Sequence, residues 1–421
     1  MLKKIFSKIK RKYYGFITGH YYLNSLELKS IRLSVGKNSS NIVEDFEKDF
    51  SLLIGDGKCV SYASGRMALY CILKSIDIKE GDEIIVLGFT CSVVLDAILR
   101  TGAVPIFSDV DPHTFGSSAS SIDSLISKKT KVAIAQHSFG IPCDIDVISK
   151  LCNKKGVFLI EDCALTLGSE LHNIRVGNYG DAAIFSTDHS KPINTIIGGL
   201  AYTKDISLLR DLRGMKDASP SLSIEKQKSL WYRLLVERIF CRDGCYSAMV
   251  IIDLAYGALR KFSYAFNPFL VSDIGVENED NEYYPAKMPT FLAQVGILEI
   301  KRWHKVQAYR ESLLKKILSS MKNNGTKIPE VYLDSYRQIT PLRVAFCCRN
   351  FKKKSAYESF LYSDGFWFKN PIISTKRAGS FFGYVDGQCL NSERIGKSIV
   401  NISCNISGEG EQDLLSRISS I

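Results

Sequence analysis

Between about residue 50 and residue 205 the chain alternates short apolar runs with segments of helical length, and this alternation limits the fold more than any other feature. The runs at 83–87, 104–107, 132–135, 157–160 and 182–185 are strand-length. Helical-length segments lie between them at 65–76, 92–100 and 145–155. Strands separated by helices join through right-handed crossovers, which predicts an α/β fold with a mainly parallel sheet and helices on both faces. In such a sheet, functional side chains gather at the carboxyl ends of the strands.

The length of 421 residues allows two domains and a sizeable core. The rhythm breaks over 216–284, where a helical stretch at 229–240 leads into an apolar run at 246–259. Asp253 interrupts that run, which is too short to span a bilayer. A polar linker, "ENEDNEYY", follows, then a long amphipathic helix expected at 291–313, and the last hundred residues mix strands and helices. The expected division is a basic amphipathic segment over 1–25, a large α/β domain over 26–310 with a helical insertion at about 216–284, and a small α+β domain over 311–421.

The net charge of +11 suits an anionic partner. No RNA-binding aromatic signature or zinc-finger spacing accompanies it, so neither a nucleic acid nor a metal is expected. None of the twelve cysteines forms a C-x-x-C pair; Cys71, Cys163 and Cys404 lie in apolar segments and read as buried thiols. The basic start has no long uncharged apolar stretch after it, so the expected location is cytoplasmic and reduced. In that start Leu2, Ile5, Phe6, Ile9 and Tyr13 fall on one helical face and six Lys or Arg residues cover the rest. Such a helix can end a domain or rest on the anionic inner face of a membrane.

Four motifs carry chemistry. In "FSTDHSKPINTIIGG" Lys191 precedes Pro192, and proline biases the residue before it toward extended backbone. Lys191 is therefore expected on a loop just past a strand end, with Ser186 five residues upstream. "SYASGRMALY" is a small-residue turn opening a helix, a ready site for phosphate. "IEDCAL" puts Glu161 and Asp162 at the end of a buried strand, where a carboxylate caps a helix or meets a cation. "AQHSFGIPCDID" puts His137 at the tip of another, as a structural histidine or a site residue.

In this order and spacing the motifs resemble the DegT/DnrJ/EryC1/StrS family of pyridoxal-phosphate-dependent sugar aminotransferases. "IKEGDEIIVLGFT", "GAVPIFSDVDPHTF" and "VGNYGDAAIFS" support the resemblance, and "KMPTFLAQVGILEIKRW" looks like the family's dimer and substrate-side helix. The resemblance implies a type I pyridoxal-phosphate fold, a homodimer, and amino transfer, from glutamate, to a nucleotide-linked keto-sugar for a bacterial surface polysaccharide. Other pyridoxal phosphate chemistry, a lipid-linked sugar, or a non-catalytic paralogue acting as partner or scaffold are the alternatives.

An aldehyde cofactor needs a primary amine, and lysine alone offers one whose pKa can be lowered locally. By the resemblance Lys191 is that amine and the proton shuttle, and Asp162 keeps the pyridine nitrogen protonated. Ser186 and the Ser64–Gly65–Arg66 turn match the family's phosphate contacts, and His137 and Lys287 match substrate-side positions, Lys287 serving the neighbouring subunit. The sequence departs from the family at Cys91, where an aromatic that stacks on the ring is common. It departs also at Leu165, where Gln or His is common, at Arg66 for threonine, and at Pro285 and Lys287 for asparagine and arginine.

Overall fold

The structure, a computed structural model, describes residue 17 and residues 19–241, 284–361, 368–375, 377–406 and 409–421. The first sixteen residues, which carry the basic amphipathic face, and the apolar run at 246–259 lie outside the described residues.

Ten strands occupy the first half of the chain. They are β1 (Lys58–Tyr62), β2 (Glu83–Leu87), β3 (Thr90–Cys91), β4 (Val104–Ser108), β5 (Thr130–Gln136), β6 (Phe158–Asp162), β7 (Glu170–Leu171), β8 (Ile174–Arg175), β9 (Ala182–Ser186) and β10 (Gly199–Thr203). Seven of them form one sheet in the order β1-β10-β9-β6-β5-β2-β4. The pairs from β9 through β6, β5 and β2 to β4 are all parallel, as the strand–helix alternation requires. The crossover helices are Gly65–Ser75, Ser92–Leu99 and Ile145–Lys155. The last ends where Gly156 takes φ +69, a left-handed cap that glycine adopts freely, with Lys154 and Lys155 in the final turn facing the negative end of the helix dipole.

β10 departs from this pattern. It runs antiparallel to both β1 and β9, with Gly199 opposite Ser186. The loop 187–198 therefore closes a hairpin rather than a crossover, and Lys191 sits on that hairpin connection. Backbone bonds brace it: Thr187 N donates to Gly198 O at 2.9 Å, Thr195 N to Thr187 O at 2.8 Å, and His189 N to Ile196 O at 3.2 Å.

The helix Thr290–Asn323 runs ten residues beyond its expected end at 313. No Gly or Pro stands between Gly296 and Gly325, so nothing in the backbone stops it at 313. Its first half packs Phe291, Leu292, Val295 and Trp303 into the core around the large sheet. Its second half packs Leu313, Leu314, Ile317 and Met321 into a core built by the C-terminal residues. There β12 (Arg343–Cys347) pairs antiparallel with β14 (Ile399–Ser403), beside the helices Phe351–Leu361, Leu390–Ser398 and Glu409–Ser419. The two remaining short strands are β11 (Arg337–Gln338), which pairs with β7, and β13 (Ile372–Ile373). β13 pairs in parallel with β3, which brings the segment 368–375 against the carboxyl end of the large sheet. Among the described residues, no helix is long and apolar enough to cross a membrane.

Candidate active site

The carboxyl ends of β5, β6 and β9 and the turn after β1 open onto one pocket of about 400 Å³. Lys191, Asp162, Ser186, Cys91, Ser64, Gly65 and Arg66 all line it. These seven residues were expected at the site from four separate stretches of sequence, and the fold brings all of them together.

Asp162 ends β6 and is 4% exposed, with its Oδ1 accepting the Ala164 amide at 2.9 Å. Burial pushes its carboxyl above the ordinary range, while the Ala164 amide and the charge of Lys191 pull it back. A buried carboxylate of this kind is poised to hold a cation in the pocket. Lys191 is half-buried, on a loop whose Ile196 takes φ +69 at zero exposure, and a β-branched residue rarely accepts that conformation. Strain of this sort persists only where the surroundings hold it.

Ser64 caps the helix Gly65–Ser75, its Oγ accepting from Met67 N at 3.4 Å. The first-turn amides of a helix have no intrahelical acceptor, and together they favour an anion. Ser186 lies against this turn: a Cβ on Gly65 would come within 3.3 Å of the Ser186 Cβ. A Cβ on Gly199 would stand 2.2 Å from the Gly65 nitrogen, so only glycine lets β10 pass this close to the helix start. The result is a small cradle of amides and hydroxyls with Arg66 beside it.

Another part of the wall is apolar. Cys91 is half-buried at the N-cap of the helix Ser92–Leu99, and Leu165 lines the pocket near Asp162. Phe368 and Ser374 also line it, from the C-terminal segment. Phe368 packs its ring 4.9 Å from Phe89 and 5.4 Å from Phe139, both fully buried. Phe368 and Ser374 take φ +66 and +64, and Thr90 N donates to Pro371 O at 2.8 Å between them. Neither residue has a sequence signal, because strand register across nearly three hundred residues is not written in local pattern. Asp188 and His189, also pocket-lining, stand in the quoted lysine motif, and their position beside Lys191 was the available clue.

His137 and Lys287 are not among the residues that line this pocket. His137 is fully buried, its Nε2 meets Glu161 Oε2 at 3.1 Å and its Nδ1 accepts the Cys143 amide at 3.2 Å. Both ring nitrogens are therefore engaged inside the protein. Glu161, Cys163 and His137 offer ligand atoms within 4.8 Å of one another. Glu161, however, already accepts the Gly177, Tyr179 and Gly180 amides at 2.7–2.8 Å, the partners of a structural carboxylate. Lys287 bridges Tyr62 through its backbone and donates its amide to Pro220 O at 2.9 Å. A larger cleft of about 580 Å³, lined by Arg349, Lys353 and Arg394, contains none of the expected site residues. It holds neither Lys191 nor Asp162, so the smaller pocket is the candidate site.

The model of the DegT/DnrJ/EryC1/StrS aminotransferase family matches residues 28–237, the stretch that contains β1 to β10 and Lys191. Over 171 residues the chain is 37% identical to GDP-perosamine synthase of Escherichia coli O157:H7, covering 41% of this chain and 47% of that protein. Over 172 residues it is 37% identical to UDP-N-acetyl-3-dehydro-alpha-D-glucosamine 3-aminotransferase of Acidithiobacillus ferrooxidans, with the same coverage. The matched stretch thus spans about half the length of these relatives. The solved structure of the aminotransferase TlmJ from Streptoalloteichus hindustanus superposes with a TM-score of 0.69 at 18% identity, over 96% of this chain and 98% of that one, and shares the fold. With a sheet that carries one antiparallel strand, a lysine on the hairpin beyond β9 and a sequence match over the whole of that region, the chain belongs to the DegT/DnrJ/EryC1/StrS aminotransferase family.

Proposed function

We propose that the chain is a pyridoxal-phosphate-dependent aminotransferase that moves an amino group, from glutamate, to a nucleotide-linked keto-sugar destined for a bacterial surface polysaccharide. The observation that carries this reading is the convergence of Lys191, Asp162, Ser186 and the Ser64–Gly65–Arg66 turn on one pocket. The donor set fits the cofactor. A buried carboxylate suits a protonated ring nitrogen, the amide-and-hydroxyl cradle closed by Gly199 suits a phosphate, and one amine suits an aldehyde. The family, and the sugar substrates in the names of its relatives, support the substrate class.

When bound, pyridoxal phosphate supplies an electrophilic carbon and a ring that accepts electron density. The protein supplies the rest. Lys191 would offer its Nζ as the bonding amine and as the base that holds and moves a proton. Asp162, buried away from water, would keep a proton on the ring nitrogen by its charge. Ser64, Gly65, Arg66 and Ser186 would hold the phosphate end and so limit the movement of the reacting end. Cys91, Leu165 and Phe368 exclude water from the wall they share.

The chain works as a homodimer in this reading, with Lys287 reaching the neighbouring site. It resides in the cytoplasm, and the basic N-terminal face rests on the anionic inner membrane surface. The test is the visible absorbance of the purified protein with added pyridoxal phosphate, followed by borohydride trapping and peptide mass spectrometry. A band that glutamate bleaches, with the trapped cofactor on Lys191, is expected. No band in excess cofactor, or trapping on another lysine, overturns the reading.

A further inference from the structure

The helix Ile224–Phe240 contributes no residue to the pocket lining, yet one of its side chains reaches the loop of Lys191 from behind. Glu237 is fully buried. Its Oε1 accepts from Arg233 Nε at 2.7 Å and from His189 Nδ1 at 3.4 Å, and its Oε2 accepts from Asn194 Nδ2 at 3.1 Å. His189 stands two residues before Lys191 and Asn194 three residues after it. Asn194 passes the hold onward, because its Oδ1 accepts the amide of Ile196 at 2.7 Å. Ile196 is the buried β-branched residue at φ +69, a conformation that needs outside support.

Three donors converge on this one side chain, and only a carboxylate offers acceptors on both oxygens. A glutamine would turn an amide N–H toward at least one of the donors. Arg233 balances the charge, so the pair is buried with its hydrogen bonds filled rather than left open. We propose that Glu237 is a positioning residue for Lys191, pinning both flanks of its loop so that the amine enters the pocket in one direction. The clamp acts through the backbone and touches no reacting atom. This rests on the reading of Lys191 as the cofactor-bonding amine.

The experiment compares cofactor-free wild type, Glu237→Gln and Asn194→Ala. Each is mixed with pyridoxal phosphate well below its melting temperature, quenched with borohydride at intervals, and the fraction modified at Lys191 is read by peptide mass spectrometry. Glu237→Gln keeps the side-chain volume, and its attachment rate is expected to fall about tenfold to a hundredfold, the scale of a small misplacement of a reacting group. Asn194→Ala removes one arm and leaves the Arg233 pair, and is expected to fall between the two. A purely structural role would lower the melting temperatures and leave the attachment rates of the folded proteins equal, which overturns the proposal. If Glu237→Gln does not fold, Asn194→Ala alone decides: a wild-type rate refutes the clamp and a slowed one supports it. Wild type that attaches no cofactor at Lys191 refutes the aminotransferase reading instead, so the two failures are distinct.

Discussion

Two stretches of the pocket wall are built by different means. Around Lys191 the wall is polar: the loop is stitched by its own backbone bonds and gripped by Glu237 through His189 and Asn194. Around Cys91 it is apolar and borrowed, since Phe368 and Ser374 arrive from the C-terminal segment through the β3–β13 pairing. Hydrogen bonds fix direction, so the polar stretch can aim one reacting atom. Packing fixes shape and excludes water without aiming anything, so the apolar stretch can set affinity. The first wall should therefore govern chemistry and the second should govern retention.

That contrast breaks most visibly at Lys191. Lys191→Ala is expected to abolish cofactor attachment and lower turnover at least about 10⁴-fold, the scale of losing a covalent catalyst. Its melting temperature should stay close to wild type, because the side chain is only half-buried. Asp162→Asn should retain bound cofactor and lower kcat by about 10²–10³, as loss of a preorganised charge does. Turnover within a few-fold of wild type in either variant would refute the polar wall's role.

The apolar wall is sharpened by Phe368→Leu. The loss of aromatic contact should weaken pyridoxal phosphate binding by about fivefold, roughly 1 kcal/mol, while kcat changes less than about twofold. Cys91→Ala should weaken it by less than about twofold, because that side chain is smaller and already partly exposed. Fluorescence titration of the cofactor-free proteins measures both. A larger effect at Cys91 than at Phe368 would reverse their order.

A further contrast is a difference in sign between two carboxylates. Glu237 is pushed up by burial, but the His189 hydrogen bond and the Arg233 charge pull harder and hold it at about 2. Its folded pKa lies below its unfolded value, so its stabilisation is complete above the ordinary carboxylate range. It is lost as pH falls toward 2, and is on the order of 3 kcal/mol. Asp162 is raised by burial, so its folded form takes a proton first and the cost of its charge is relieved as pH falls. Acid melts of the cofactor-free protein should show Glu237→Gln losing its deficit relative to wild type at low pH. Asp162→Asn should instead lose an advantage there.

How much of this was legible depended on distance along the chain. The parallel strands announced themselves through short apolar runs, and the helix 145–155 through its period and its glycine stop. Lys191, Asp162, Ser186 and the Ser64 turn could be read because each lies at the end of one of those elements. The direction of β10 could not, since "GLAYT" is buried at every position and says nothing about which way its neighbours run. His137 stands at a strand end as expected, and what the sequence does not show is that the next turn brings the Cys143 amide to its Nδ1. Glu237 was hidden by its own helix, where a glutamate usually means a solvated face. Phe368 meets the pocket through a pairing partner far away in sequence, beyond the reach of any window.

The helix Thr290–Asn323 has a mechanical consequence. At 34 residues it is about 50 Å long and uninterrupted, and it lends side chains to both hydrophobic cores. A strut shared in this way cannot melt at one end while the other stays intact without exposing apolar surface at the join. Arg310, buried near its middle and reaching Pro192 O at 3.3 Å, ties that join to the residue after Lys191. The C-terminal core and the large sheet should therefore come apart in a single calorimetric transition, with the Lys191 loop anchored to the shared axle.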